Sequence, residues 1–225
     1  MKITFSNMYN LDIEQPQPAS KFIPDWYKNM ESYMGGEKKS NGNGFTPATI
    51  KKCMPVFDAI TAGYIITLTS DVIVNTKNGK QKFDWFSLGG VDFHPIEQAP
   101  DHPYRNEYPY PKWMNPWAIK TPEGYSTLFV QPFHRESVFT IMPGIVDTDK
   151  FDIAVNFPMV INDPKFQGII RKGTPIAQVI PFKREEWEME INSEETTSRN
   201  KNIEKLTSKP FDRYKDFFWN QKKYK

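Results

Sequence analysis

The chain has 225 residues, of which 38% are hydrophobic, 25% are charged and 15% are aromatic, and it contains 19 prolines. This composition predicts one large folded domain, or one domain with appendages, and excludes an intrinsically disordered chain. The net charge of +2 is too small to indicate a nucleic acid or an anionic membrane as the partner. The single cysteine excludes an intramolecular disulfide framework and a cysteine-based zinc cluster.

Residues 1–48 are interpreted as an N-terminal extension. Lys2–Phe5 is strand-like, Pro24–Met30 suits a short helix with proline in its first turn, and Gly35–Gly44 predicts a mobile loop. No apolar stretch follows Met1, so we expect no signal peptide. The apolar runs of the chain are too short to cross a bilayer, and we expect no membrane partner.

A β-rich core domain is predicted over residues 49–191. Ala62–Leu68 and Asp71–Val74 are rich in β-branched residues, and Lys80–Phe86 reads as a strand that returns after a tight turn at Asn78-Gly79. Proline removes ladder donors, so the proline- and aromatic-rich residues 89–122 predict a long ordered loop without a central strand.

Short strand signals return after Tyr125, separated by Pro, Gly, Asn or Asp. The predicted strands are Ser126–Gln131, Phe139–Met142, Phe151–Phe157, Met159–Ile161 and Ile176–Pro181. This rhythm is typical of an antiparallel sandwich or barrel. The predicted fold class is therefore mainly β, with an antiparallel core, long proline and aromatic loops, and a short helical tail.

The tail, residues 192–225, is polar and carries Tyr214, Phe217 and Phe218 at helical spacing. Basic and aromatic residues alternate here, as they do in some nucleic-acid-binding segments. An amphipathic helix that docks on the core or on another subunit has the same pattern. Because the rest of the chain is nearly neutral, we favour docking and expect no nucleic-acid partner.

Three segments occur in an order shared with a known group of enzymes. They are Ala62-Gly63-Tyr64 with the following Asp71–Val74, the run Gly144–Phe151, and Gly173–Val179. This ordered set resembles the β-clip sheet of dUTPases and dCTP deaminases. The chain also resembles, over a longer span, a family of phages and bacteria with no known activity, through Thr121–Tyr125, the Gly144–Asp149 turn and Lys172–Arg184.

The resemblance to dUTPases implies roles for single residues. Asp147 matches the aspartate that orients the attacking water, Phe151 matches the aromatic residue near the sugar, and Tyr64 lies in the first motif. The chain departs from the pattern at Ile65, where the family has a carboxylate, and it lacks the Pro-Arg-Ser-Gly phosphate loop and the glycine-rich C-terminal arm. The glutamate of the deaminases is also absent from Phe151–Phe157.

Two further groups of residues are candidate ligand contacts. Asp147 and Asp149 are two residues apart and could hold a nucleoside, or Mg²⁺ through water, whereas the alternative is that they cap a β-turn. Arg135 presents a planar fork that suits phosphate or carboxylate, with His134 beside it; an ordinary ion pair with Glu136 or a neighbour is the favoured alternative for Arg135. The three histidines have no metal-type spacing, so no metal site is predicted.

The leading functional hypothesis is a non-catalytic or catalytically decayed protein with a β-clip-like fold. We expect it to self-associate, with a trimer favoured, and to act as a structural or binding component without a cofactor. Its composition is typical of AT-rich genomes, including many phages, which predicts a phage-encoded virion or accessory protein in the virion or the host cytoplasm, with other virion proteins as partners. Two alternatives stay open: a Mg²⁺-dependent nucleotide pyrophosphohydrolase that uses Asp147, and a sugar- or nucleotide-binding module without turnover.

Overall fold

The computed structural model describes residues 1–10, 12–41, 44–45, 47–77, 80–86, 89–98, 101–103, 109–191, 197–209 and 211–225. Strands dominate this part of the chain, and every pair of neighbouring strands is antiparallel. The predicted class, mainly β with short helices in the tail, is confirmed.

The strands are, in chain order, β1 Thr4–Asn7, β2 Gln17–Pro18, β3 Ser40–Asn41, β4 Gly44–Phe45, β5 Tyr64–Thr67, β6 Val72–Lys77, β7 Lys80–Trp85, β8 Val91–His94, β9 Tyr110–Trp113, β10 Trp117–Lys120, β11 Tyr125–Val130, β12 Phe139–Ile141, β13 Gly144–Val146, β14 Phe157–Ile161, β15 Gly168–Ile170 and β16 Pro175–Lys183. The helices are α1 Asp25–Asn29, α2 Met54–Thr61, α3 Thr197–Thr207 and α4 Arg213–Phe217. Short 3-10 turns lie at Ala19–Phe22, Ile50–Lys52 and Ile96–Gln98.

Three sheets make up most of the fold. Their strand orders are β13-β11-β16-β5-β2, β12-β14-β9-β8 and β15-β6-β7, and two-stranded ladders join β1 to β10 and β3 to β4. Strands β12 and β15 therefore each lie at the edge of a sheet. Strands β11 and β16 run side by side, with Tyr125 opposite Lys183 at one end and Val130 opposite Gln178 at the other.

One continuous apolar core is shared by the sheets. Strand β14 shows how the sequence builds it, because Phe157, Met159 and Ile161 are buried while the residues between them are half-buried. Alternate residues of a strand point to opposite faces, so this pattern turns one face of the sheet inward. Trp113 lies at the centre and packs edge-to-face on Phe139, with 5.1 Å between the ring centres.

The predicted hairpin is confirmed by its two strands, β6 and β7, which pair from Val72 opposite Trp85 to Lys77 opposite Lys80. The turn residues Asn78 and Gly79 themselves lie outside the described residues. The same is true of residues 42 and 43 in the predicted mobile loop, and of residues 104–108 in the aromatic-proline stretch.

The prediction of a long loop without a central strand over residues 89–122 is wrong. This stretch contains three strands, β8, β9 and β10, and β9 is central because it lies between β8 and β14. Pro111 costs one ladder donor, but Tyr110 and Trp113 on either side of it are buried. The burial of these large aromatic surfaces outweighs the lost hydrogen bond.

The prediction of a strand over Phe151–Phe157 is also wrong. Most of this segment pairs with no strand, and Ala154 forms only an isolated bridge to Ala118. Phe151 and Ile153 are exposed, so their apolar character does not reflect burial in the core. A helix that the sequence did not predict, α2, precedes β5, with Pro55 in its first turn.

The C-terminal tail docks on the chain's own core. Trp219 Nε1 donates to both carboxylate oxygens of Asp58 in α2, at 3.1 and 3.0 Å, and Lys222 Nζ donates to the same carboxylate at 2.7 Å. Tyr224 packs edge-to-face on Tyr64 of β5. At the other terminus, β1 pairs with β10 and β2 with β5. The division into residues 1–48, 49–191 and 192–225 stays a prediction.

Candidate functional site

The acidic turn after β13 is held in place by a buried threonine. Thr148 is fully buried, and its hydroxyl lies 2.8 Å from the hydroxyls of both Thr121 and Thr127. The carbonyl of Asp147 accepts hydrogen bonds from the amides of Lys150 and Phe151, which closes the turn. Thr148 therefore points inward, and Asp147 and Asp149 on either side of it project the other way.

Arg184, the residue after β16, occupies the centre of this region. Its Nη1 donates to Asp149 Oδ1 at 3.0 Å and to Asp147 Oδ1 at 3.2 Å, and its Nη2 donates to Asp149 Oδ2. Nη1 also lies 3.0 Å from Ser126 Oγ, which itself donates to Asp147 Oδ1 at 2.6 Å. We call Arg184, Asp147, Asp149 and Ser126 the Arg184 network.

The two carboxylates of the Arg184 network differ in environment. The Asp149 side chain is only 2% exposed, and its Oδ2 also accepts the amide of Gly124 at 2.9 Å. The hydrogen bonds from Arg184 hold the pKa of Asp149 well below its ordinary value, and the carboxylate raises the pKa of Arg184 in return. Asp147 is 56% exposed. The network thus ties three neighbouring strands, β11, β13 and β16, together at one end of the sheet.

A cleft of about 780 Å³ lies at the opposite end of β11. Its walls come from α1, from the loop between β11 and β12, and from the edge strands β12 and β15. Arg135 and Arg171 supply positive charge, and Trp26, Val138 and Ile169 supply apolar surface. Two carboxylates, Asp25 and Glu136, also line it. We call it the Arg135 cleft. Its volume lies in the range of ligand-binding pockets.

Arg135 is half-buried in this cleft, and its Nη2 is buried without a hydrogen-bond partner among the described residues. Burial lowers the pKa of its guanidinium, and Asp25 across the cleft acts in the opposite direction. The predicted ion pair with Glu136 does not occur among the ion pairs of the described residues. A buried guanidinium nitrogen without an acceptor is unfavourable, so Nη2 of Arg135 is the polar atom of this cleft that an acceptor from outside the described residues would stabilise.

The loop that carries Arg135 is fixed at two points. Gln178, a buried residue of β16, accepts the amide of Phe133 at 3.0 Å and donates to the carbonyls of Ala59 and Ala62. His134 has a positive φ of 54°, and its carbonyl accepts Trp26 Nε1 at 2.8 Å. The unusual backbone of His134 therefore sets the direction of Arg135, while its exposed ring lies beside Trp26.

Tyr64 and Phe151 lie apart from each other. Tyr64 lines a second cleft of about 470 Å³ and packs between Phe5 and Tyr224, and burial raises the pKa of its hydroxyl. Phe151 follows the acidic turn and is exposed.

The structure therefore brings only some of the predicted site residues together. Asp147, Asp149 and the nearby Phe151 lie near Ser126, at the start of β11. Arg135 and His134 follow the end of β11, and the five residue steps from Ser126 to Gln131 alone span roughly 17 Å. Asp147 lines neither the Arg135 cleft nor the cleft that contains Tyr64.

Three residues were not identified as site residues from the sequence. Arg184 ends the Lys172–Arg184 segment of the phage-family resemblance, and Arg171 lies just before Gly173 of the third dUTPase-like motif, but neither pattern indicates which side chain they meet. Trp26 was assigned only to a short helix. In the described part of the chain, no group of three or more histidine, cysteine or acidic side chains is arranged to hold a metal ion. None of the described helices is long and apolar enough to cross a membrane.

Neither a family model nor a curated protein matches this chain. Among solved structures, the chain is similar to a mutant dUTPase of Staphylococcus bacteriophage 80alpha with dUpNHpp. The sequence identity is 11%, the TM-score is 0.38, and the match covers 87% of this chain and 90% of the other.

Proposed function

We propose that this protein is a non-catalytic binding component that works as a homo-oligomer. The observation that carries the proposal is an exposed segment after β16: every described residue from Glu185 to Ser208 is exposed. Within it, Trp187 is 87% exposed, Met189 84% and Ile191 86%. A row of large apolar side chains in water is characteristic of a surface that another protein covers.

The absence of catalysis is supported by the Arg184 network. In the hydrolase alternative, Asp147 orients a water molecule and Mg²⁺ acts as the Lewis acid. Asp147 Oδ1 already accepts Ser126 Oγ and Arg184 Nη1, and both oxygens of Asp149 are bonded to Arg184. These bonds suit a structural clamp, and Ile65 stands where dUTPases carry a carboxylate.

A phage-encoded role in the virion, or as an accessory protein, is part of the proposal. It is supported by the composition, which is typical of AT-rich genomes including many phages, and by the resemblance to a family of phages and bacteria. A trimer is the favoured oligomer. The test is the molar mass in solution, measured by light scattering on a size-exclusion column: three times the 26.3 kDa of one chain is expected, and a strict monomer at micromolar concentration contradicts the proposal.

A second candidate function is a ligand-binding module without turnover, and the unpartnered Nη2 of Arg135 favours it. A nucleotide or sugar phosphate would supply the missing acceptor through its phosphate oxygens. At a hundred times its dissociation constant, such a ligand stabilises the fold by about 2.7 kcal/mol. Thermal unfolding with inorganic phosphate, nucleotides and sugar phosphates tests this candidate. It is supported if a compound stabilises the protein, Arg135→Ala removes the stabilisation and Arg199→Ala on α3 keeps it. It is rejected if none of the compounds stabilises the protein.

A further inference from the structure

The segment Glu185–Ile191 has the sequence pattern of a strand but forms no ladder in the described chain. We call it the acidic arm. Its last six residues alternate glutamate with Trp187, Met189 and Ile191. In an extended chain, alternate residues point to opposite sides, so the arm has one apolar face and one acidic face. Such a two-faced strand normally covers its apolar face against a sheet or a cleft.

Nothing in the described chain covers the apolar face of the acidic arm. All its residues are exposed, and the following helix, α3, has no buried residue and packs against α4. The arm leaves the core at Arg184, which is anchored by the Arg184 network. Further along, Phe211 packs on Tyr33 and Asp212 pairs with Lys52. The arm is thus anchored at its N-terminal end while its apolar face stays in water.

The Arg135 cleft has the complementary chemistry. Its apolar wall consists of partly exposed side chains from α1, the loop before β12, and β15: Trp26, Val138 and Ile169. Arg171 at its rim is paired with Asp71, and Asp25 and Glu136 also line the cleft, so the charge that lacks a partner in the described chain is the buried Nη2 of Arg135. Its two edge strands, β12 and β15, each have a sheet neighbour on one side only. The cleft therefore suits an extended segment that carries carboxylates and large apolar side chains.

The acidic arm does not line the cleft of its own chain, and its first apolar residue, Trp187, cannot reach it. Pro175 lines the cleft at the start of β16, whereas the arm begins after Arg184, nine residue steps or roughly 30 Å further along. Trp187 is three residues beyond Arg184, a distance of at most about 11 Å in a fully extended chain. An arm that places Trp187 in the cleft therefore comes from another molecule.

We propose that the acidic arm of one copy lies in the Arg135 cleft of a second copy, with its apolar face on Trp26, Val138 and Ile169 and a glutamate carboxylate on Arg135. This inference rests on the proposed self-association and names the surfaces that carry it. The arm and the cleft are different surfaces at opposite ends of β16, so the contact is satisfied in every copy only when the arms are exchanged around a closed oligomer. A ring of three copies meets this condition.

The test uses two complementary variants of the full chain. The arm variant carries Trp187→Ser, Met189→Ser and Ile191→Ser, and the cleft variant carries Arg135→Glu. Each variant alone is expected to have the mass of a monomer, because one half of every contact is missing. An equimolar mixture is expected to contain heterodimers, because the arm of the cleft variant still fits the cleft of the arm variant.

Controls separate folding and surface effects from the contact itself. Ile169→Glu is a second cleft variant at an exposed position, which keeps the test valid if Arg135→Glu fails to fold. Phe86→Ser removes an equally exposed apolar side chain from another surface and is expected to leave the wild-type mass unchanged. Circular dichroism of each variant confirms the fold.

The outcomes distinguish this inference from the proposed function. A wild-type monomer overturns both. If the wild type is an oligomer and the arm variant has the same mass, the arm contact is wrong but self-association is still supported. If the two variants are monomeric and stay monomeric when they are mixed, the arm binds elsewhere. If inorganic phosphate stabilises the protein only when Arg135 is present, and the arm variant is still an oligomer, the cleft binds a small anion instead of the arm.

Discussion

Arg184 donates hydrogen bonds from both of its terminal nitrogens to Asp149, one to each carboxylate oxygen. This pair joins the residue after β16 to the turn after β13, and the amide of Gly124 adds a third hydrogen bond to the same carboxylate. The acidic turn that the sequence offered as a catalytic candidate is thus also the clamp that closes one end of the five-stranded sheet. The Asp147–Asp149 spacing is compatible with either role, and only the position of Arg184 favours the clamp.

Replacing Asp149 is expected to destabilise the fold more than replacing Asp147. Asp149→Asn weakens a two-pronged pair with Arg184 around a side chain that is 2% exposed, whereas Asp147→Asn changes a single-oxygen contact on a side chain that is 56% exposed. Urea denaturation of both variants and the wild type measures the difference. Equal midpoints for the two variants would show that Asp149 is no more important to the clamp than Asp147.

The clamp also predicts a pH dependence of stability. The pKa of Asp149 lies below its ordinary value of 3.8, chiefly because of the hydrogen bonds from Arg184, so the folded state binds its proton less readily than the unfolded chain. The contribution of Asp149 is therefore fully present above about pH 4 and is lost as the pH falls further. The stability difference between wild type and Asp149→Asn should be constant from pH 5 to 7 and shrink below about pH 4; a difference that grows on acidification contradicts the assignment.

Gly63 is expected to tolerate no side chain. Its φ is +66°, and a Cβ atom built on it would lie 1.9 Å from the carbonyl oxygen of Val179, in the middle of β16. Gly124 is a matched control, because its φ is +81° but a Cβ atom there meets nothing within 4 Å. Gly124→Ala should cost about 1–2 kcal/mol from the backbone alone, and Gly63→Ala clearly more, because β5 and β16 must separate. Chemical denaturation compares them, and similar costs would count against this packing.

Gln178 is expected to be essential for the loop that carries Arg135. It is buried, and Gln178→Ala leaves the amide of Phe133 and the carbonyls of Ala59 and Ala62 without their partner. Stranding buried polar groups of this kind should cost roughly 3 kcal/mol, against a few tenths for Gln221→Ala on the exposed tail. Hydrogen exchange at the Phe133 amide should also accelerate, and unchanged protection there would show that Gln178 does not hold the loop.

The long strands could be predicted from the sequence because local pattern and burial agree there. Strands β11 and β16 were predicted to within one or two residues at each end, since both are rich in β-branched residues and end at polar or turn-forming residues. Strand β9 could not be predicted, because Pro111 signals a loop and only the three-dimensional packing of Trp113 reverses that signal. The prediction of a strand over Phe151–Phe157 is wrong for the opposite reason, since the apolar residues Phe151 and Ile153 are exposed.

The candidate site was predictable only in parts. The sequence predicts either a ligand contact or a β-turn cap at Asp147 and Asp149, and the chemistry of Arg135 predicts an anion contact; both ligand contacts stay predictions. The pairing of Asp149 with Arg184 joins residues that are distant in sequence, and the unpartnered Nη2 of Arg135 depends on the whole cleft around it. Neither could follow from local pattern, because each is a property of the tertiary fold.

The most direct test of a structural, non-catalytic acidic turn is nucleotide turnover. Wild type and Asp147→Asn are incubated with Mg²⁺ and each deoxynucleoside triphosphate at the concentration where the wild type is oligomeric, and release of diphosphate is measured. The two proteins are expected to show the same background for every nucleotide. Turnover by the wild type that Asp147→Asn abolishes, with the oligomer intact, would contradict the proposal and identify Asp147 as a catalytic residue.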